Sequence, residues 1–156
     1  MKLLRKLLFI GVFCSYFVFL SGCGTADSSQ EINAPSKISK GSETIQLKMN
    51  GNDYQIDLER NTTAEELHEI LPEEFAMKDL HQNEKYFDLP QALPVQAEKV
   101  GKIEIGDVLL YGDQTLVIFY QSFETSYSYT RIGRIRQPEL LAEQLGNGDV
   151  IVERIQ

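Results

Sequence analysis

From Thr44 onward, apolar and polar positions alternate in runs that predict most of the architecture. Ile45, Leu47 and Met49 alternate with polar neighbours, and Tyr54, Ile56 and Leu58 do the same. Successive side chains of a strand point to opposite faces, so each run predicts a half-buried strand. Asn50-Gly51-Asn52 between them supplies residues that tolerate positive φ, which joins the two strands as a hairpin. Thr62 and Thr63 stand three residues before Glu65 and Glu66, the spacing of a capping box. Leu67, Ile70 and Leu71 mark one apolar helix face, and Pro72 ends the helix. Phe75, Met77 and Leu80 predict a short strand, whereas Tyr86-Phe87-Asp88-Leu89-Pro90 with Leu93-Pro94 reads as a rigid extended crossing.

The second half is more apolar. Residues 103–111 and 115–120, turned by Gly112-Asp113-Gln114, are apolar on both faces for part of their length. That pattern predicts a hairpin at the centre of the core. Residues 121–127 form a polar and aromatic loop, and Ser128–Ile135 is a further strand with Gly133 as a bulge or close-approach point. Pro138 opens a second helix carrying Leu140, Leu141 and Leu145, which Gly146-Asn147-Gly148 stops. Val150–Ile155 closes the chain as a strand. Seven or eight strands with two helices far apart make the class mainly β, a small antiparallel β-barrel with helices over its ends.

Ahead of Thr44 the pattern is different. Lys2, Arg5 and Lys6 precede residues 7–20, a run of 14 without a charge, and Leu20-Ser21-Gly22-Cys23 follows. A basic head, an apolar middle and a small-residue exit predict a secretory signal peptide over residues 1–22. The run is shorter than the roughly 20 residues a membrane-spanning helix needs. Leu-small-Gly-Cys resembles the lipobox of bacterial lipoproteins. The resemblance implies cleavage before Cys23 and a diacylglycerol with palmitate-type chains on its sulfur. Two such chains hold a protein to a membrane by on the order of 20 kcal/mol. Residues 24–43 are rich in Ser, Gly, Asn and Lys, with isoleucines only at positions 32 and 39. They predict a flexible lipidated tether over 23–43, of mean reach roughly 25 Å, and a folded domain over 44–156.

Removal of the signal takes three basic and no acidic residues, moving the net charge from −8 to about −11. So acidic a surface excludes nucleic acid, whose phosphates need Lys and Arg, and adhesion to anionic headgroups. Cys14 leaves with the signal and lipid caps Cys23, so disulfide, zinc-thiolate and cysteine-nucleophile chemistry drop out. His68-Glu69 begins like His-Glu-x-x-His, but Pro72 stands where the second histidine must be. His81 has no partner at metal spacing. No Gly-x-Ser-x-Gly and no phosphate loop occurs. The expectation is no metal, no cofactor and no assigned catalytic residue.

Ile105-Gly106-Asp107, the strand and turn leading to Leu116-Val117-Ile118-Phe119-Tyr120, Ile132-Gly133-Arg134-Ile135, a helix and a last strand make a recognisable order. Together with Tyr86-Phe87-Asp88-Leu89-Pro90, that order resembles the small bacterial cyclophilin-like proteins. The resemblance covers residues 44–156 and implies a compact cyclophilin-type barrel. Beside true cyclophilins, residues 116–119 fall where those carry Gln-Phe-Phe-Ile, 132–135 where they carry Phe-Gly-Lys-Val, and 140–145 on their second helix. Their peptidyl-prolyl isomerase site has an arginine beside a Phe-Met-x-Gln run, a tryptophan and a histidine. Here Phe75-Ala76-Met77-Lys78-Asp79-Leu80-His81 holds no arginine, the chain has no tryptophan, and Tyr129 or Thr130 takes the histidine's place. Isomerisation needs a donor that favours the twisted amide over the planar one. The resemblance therefore implies a non-catalytic domain. The alternative is an extracytoplasmic prolyl isomerase or foldase with a divergent site, in which Lys78 or His81 substitutes.

One cluster is a candidate binding surface. Phe119, Tyr120, Phe123, Tyr127 and Tyr129 lie close together, beside Arg131 and Arg134. Tyrosines give flat amphipathic contact area, and arginine binds carboxylates or stacks on rings. The plainer alternative is that half of these face the core and the rest make an ordinary β surface. As a groove they suit an extended peptide or a small anionic ligand, with Tyr86 and Phe87 as the opposite wall. The expected protein is a membrane-anchored extracytoplasmic lipoprotein binding a peptide, protein or small ligand through Tyr86, Phe87, Phe119, Tyr120, Tyr127, Tyr129 and Arg131.

Overall fold

The computed structural model describes residues 43–155. The expected signal peptide, the lipid site at Cys23 and the tether as far as residue 42 lie outside them. Strands β1 (Thr44–Met49) and β2 (Asn52–Leu58) form the predicted hairpin, with Thr44 opposite Asp57 and Met49 opposite Asn52. Asn50 and Gly51 both take positive φ, 49° and 78°, as a two-residue turn matched to strand twist requires. Helix α1 (Thr62–Ile70) follows, but the capping box is not used. Asn61 is the N-cap, accepting from the Ala64 N–H at 2.8 Å. Thr63 is buried instead, and its hydroxyl donates to the Pro94 carbonyl at 2.8 Å. A helix donor left free by one short polar side chain is served as well by another just ahead of it.

A second hairpin joins β3 (Glu74–Leu80) to β4 (Glu84–Asp88). This corrects the extended crossing expected at Tyr86-Phe87-Asp88, which is a regular strand inserted between β3 and β8 (Thr115–Phe119). Its turn was hidden because His81 and Gln82, at φ 53° and 56°, carry the positive angles usually given to Asn or Gly. The Asp79 carboxylate holds the turn by accepting from the Gln82 N–H at 3.2 Å.

The two-residue strands β5 (Glu98–Lys99) and β6 (Lys102–Ile103) lead into β7 (Asp107–Tyr111). After β8, β9 (Phe123–Glu124) pairs with β6, so part of the expected aromatic loop is a short ribbon. Then come β10 (Ser128–Ile135), a 3-10 turn (Pro138–Leu140), α2 (Leu141–Leu145) and β11 (Val150–Ile155). The second helix is shorter than predicted because Leu140 is exposed, and only Leu141 and Leu145 reach the core.

Eight strands run in the order β2-β1-β11-β3-β4-β8-β7-β10, and β10 returns to β2, closing an antiparallel barrel. Closure leaves these strands no free edge. The register of β10 against β7 shifts between Arg131 and Gly133, and from Gly133 onward β10 pairs with β7 on one side and β2 on the other. A Cβ on Gly133 would lie 2.4 Å from the Asp57 carbonyl oxygen, so only glycine permits that approach. Among the described residues no helix is long and apolar enough to cross a membrane.

The β7–β8 hairpin has two buried faces, as its composition predicts. Val108, Leu110, Leu116 and Ile118 join the barrel interior. Leu109, Val117 and Phe119 belong to a second cluster with Ile103 and Tyr129, against which Val100, Phe123 and Tyr86 pack. That outer cluster positions the site described next.

Candidate functional site

Period-two alternation decides which side chains of β4 reach the outer wall. Lys85 is buried in the barrel and Phe87 packs on the core, while Glu84, Tyr86 and Asp88 take the other face. Register then sets their neighbours on β8: Glu84 lies opposite Phe119, Tyr86 opposite Val117 and Asp88 opposite Thr115. On β7, Tyr111 lies opposite Thr115. These rungs floor a cavity of about 360 Å³, which Phe123, Tyr127 and Tyr129 wall on one side and Leu80 and His81 border on the other.

The walls are mostly rings. Tyr111 meets Tyr127 edge-on, with centroids 6.0 Å apart and planes at 82°, and meets Tyr129 at 5.7 Å. Phe119 stands behind them, 5.8 Å from Tyr129 and 5.7 Å from Phe123. Tyr127 is 60% exposed, Tyr111 48% and Leu80 38%, and these three make half of the exposed large hydrophobic residues described. Their convergence on one cavity makes it a candidate contact surface rather than scattered exposure.

The carboxylates of Glu84 and Asp88 line the cavity together with the His81 imidazole and four tyrosine hydroxyls. Glu84 is half-buried, and among the described residues its carboxylate has no hydrogen-bond or ion-pair partner. Burial pushes its pKa up; the charge of His81 opposes the shift and that of Asp79 adds to it. Burial, and then the Glu84 charge, push the Tyr129 hydroxyl up to about 12. The side-chain oxygen of Asn83 is buried without a partner. Asp88 accepts from the Thr115 hydroxyl at 2.9 Å. No lysine or arginine lines the cavity. Among the described residues no three His, Asp or Glu side chains converge as a metal would require.

Of the residues singled out from sequence, Tyr86, Tyr127 and Tyr129 line the cavity, and Phe119 supports it from behind. Phe87 and Tyr120 do not reach it. Phe87 packs on Phe75 at 4.6 Å, and the Tyr120 hydroxyl donates to Asp79 at 2.6 Å inside the barrel. Arg131 pairs with Glu98 at 3.0 Å on the exterior, and Arg134 with Asp107 at 2.6 Å. With both arginines engaged elsewhere, the basis for an anionic ligand is removed. Of the two side chains considered as replacements for the isomerase arginine, His81 borders the cavity and Lys78 does not. Tyr111 was missed although its outward position follows from alternation along β7. Glu84 and Asn83 were missed because the positive φ angles of the turn before β4 fall on His81 and Gln82 and not on the asparagine.

Known proteins resemble this chain at the level of the fold. The solution structure of the hypothetical protein AF2241 from Archaeoglobus fulgidus matches with a TM-score of 0.52 at 19% identity, covering 73% of this chain and 95% of that one. No curated protein matches the chain. The family model described as the cyclophilin-like family matches residues 47–154, which span the closed barrel, the bulge at Gly133 and the outer cluster. The chain belongs to the cyclophilin-like family.

Proposed function

We propose that this is an exported, lipid-anchored binding protein whose barrel holds an extended peptide or small ligand in the aromatic cavity. The observation that carries the reading is the cavity itself. Its volume of about 360 Å³ is that of a small-ligand site, with apolar walls and a few polar groups. The anchor rests on Leu20-Ser21-Gly22-Cys23 and the short apolar run before it. Together they describe a receptor domain tethered at the outer side of a membrane.

The chain lends itself to a direct test. It has no tryptophan, and four of its seven tyrosines line the cavity, so tyrosine emission reports on occupancy. Saturable quenching by a ligand, lost in Tyr86→Ala and Tyr127→Ala, is the expected result. An unchanged response in both variants would remove the cavity from the reading. Mass analysis of the exported protein is expected to find a diacylated Cys23 at the amino terminus. A protein that accelerates proline-peptide isomerisation, with the acceleration lost in His81→Ala, would replace the binding reading with the foldase one.

A further inference from the structure

We propose that the cavity receives a protonated amine on an apolar stem, the chemistry shared by a lysine side chain and a free alkylamine. The inference rests on the binding reading above and narrows its ligand. Three features point the same way. The first is the wall. Tyr86, Tyr111, Tyr127 and Tyr129 with Phe123 surround one space, and the face of each ring carries negative charge density that attracts a cation. Tyr111 and Tyr127, at 82° to each other, present two sides of a corner rather than one flat platform.

The second feature is Glu84. A half-buried carboxylate with no hydrogen-bond or ion-pair partner has lost part of its water, and only the more distant charge of His81 offsets that loss. The unpartnered oxygen of Asn83 beside it is a second unmatched acceptor. A bound ammonium supplies N–H donors and the missing positive charge together. The third feature is selectivity against other ligands. An anion would meet two carboxylates, Glu84 and Asp88, and the ring faces, with no lysine or arginine and only the His81 imidazole at the border to receive it. A neutral apolar group would fill the walls and leave Glu84 unpaired. A quaternary ammonium would satisfy the rings but could donate no hydrogen bond to the carboxylate, which favours a primary amine.

The test titrates the purified full chain with pentylamine at neutral pH, with pentyltrimethylammonium, with neutral pentanol, and with a short peptide carrying lysine or norleucine at one position. Tyrosine emission and protein-observed NMR shifts provide the readout. Pentylamine is expected to bind about tenfold more tightly than pentanol, with the cavity tyrosines shifting. Glu84→Gln is expected to erase that preference, so that pentylamine and pentanol bind the variant with equal affinity. Tyr127→Leu, which keeps the apolar surface of an exposed residue and loses the ring, is expected to reduce it severalfold.

The peptide arm separates the sources. Preference for the lysine peptide over its norleucine twin, at an affinity above that of pentylamine, assigns the site to peptides; equal affinity of peptide and amine assigns it to free amines. Equal binding of pentylamine and pentanol overturns the ammonium inference while the binding reading stands. Binding of pentyltrimethylammonium as tight as that of pentylamine overturns the role given to Glu84 as hydrogen-bond acceptor. Binding of none of the probes, with the cavity tyrosines unmoved, overturns both readings.

Discussion

Lys85 and Glu84 are neighbours on β4, yet one charge is fully matched and the other is not. Lys85 is completely buried at one end of the barrel. Its ammonium contacts the Asp79 carboxylate, donates to the carbonyls of Gly146 and Gly148 at 2.8 and 2.7 Å, and lies 4.7 Å from the centre of the Tyr120 ring. Asp79 also accepts from the Tyr120 hydroxyl at 2.6 Å. Glu84, one residue earlier and on the opposite face, lines the outer cavity with no such partner. The inner charge is satisfied within the fold and serves structure: it ties the loop before β11 to β4. The outer charge faces the cavity, where the ligand proposed above would meet it. A buried polar group whose demands are met argues for stability, and one whose demands are open argues for binding.

The largest effect is expected from breaking the inner network. Lys85→Met leaves Asp79 and two loop carbonyls short of a donor and should cost about 3–5 kcal/mol, measured by urea unfolding. Lys85→Met with Asp79→Asn should cost less than the sum of the two single changes, since the second removes a charge that the first strands. If Lys85→Met were neutral, the contrast with Glu84 would collapse.

Acid should act on the same network next. Burial pushes the Asp79 carboxyl up, but the hydrogen bonds from Lys85 and Tyr120 outweigh it and hold the group below its usual 3.8. A depressed folded value means that the unfolded chain takes up the proton first. The Asp79 contribution is therefore complete above about pH 4–5 and is lost as pH falls through the folded value. Unfolding measured from pH 6 to pH 2 should show this acid limb, and Asp79→Asn should flatten it. Glu84 has the opposite sign. Its folded value lies above 4.5, so its ionisation weakens the fold as pH rises through that region.

A smaller effect sharpens the outer half of the contrast. Phe119→Leu removes ring contacts to Tyr129 and Phe123 without touching the inner network. It should cost about 1–1.5 kcal/mol in unfolding and weaken cavity ligands. The smallest effect on stability is expected from Glu84→Gln, which removes a half-buried charge without stranding a partner. Its unfolding free energy in urea should match the parent's or exceed it by up to about 1 kcal/mol, while the affinity for amines falls. A marked loss of stability in that variant would mean that Glu84 serves the fold after all.

Much of this arrangement is legible locally. The alternation of Ile45, Leu47 and Met49 with their neighbours requires one buried face, and Asn50-Gly51 allows the turn that pairs it with Tyr54, Ile56 and Leu58. The doubly apolar β7–β8 sequence requires cover on both sides, which the barrel interior and the outer cluster provide. Gly133 marks a close approach because no other residue fits against Asp57. The candidate site was legible in part: Tyr86, Tyr127 and Tyr129 were identified, and Phe87, Tyr120 and Arg131 turn away. Their directions depend on strand phase, and phase depends on where a strand begins. With His81-Gln82 giving no turn signal, the phase of β4 could not be read, and with it the separation of Lys85 from Glu84.

The sequence by itself determined the strand alternation, the turns at Asn50-Gly51 and Gly112, the stop at Gly146, and an acidic balance of −8, because each depends on residues adjacent along the chain. Tertiary structure alone decided that β10 closes on β2, that β4 inserts between β3 and β8, and that Tyr111, Tyr127, Tyr129 and Glu84 share one cavity. Those relations join residues far apart in the chain. They are selected by the one register in which every inner face is buried and every barrel strand is paired, and no local pattern encodes that register.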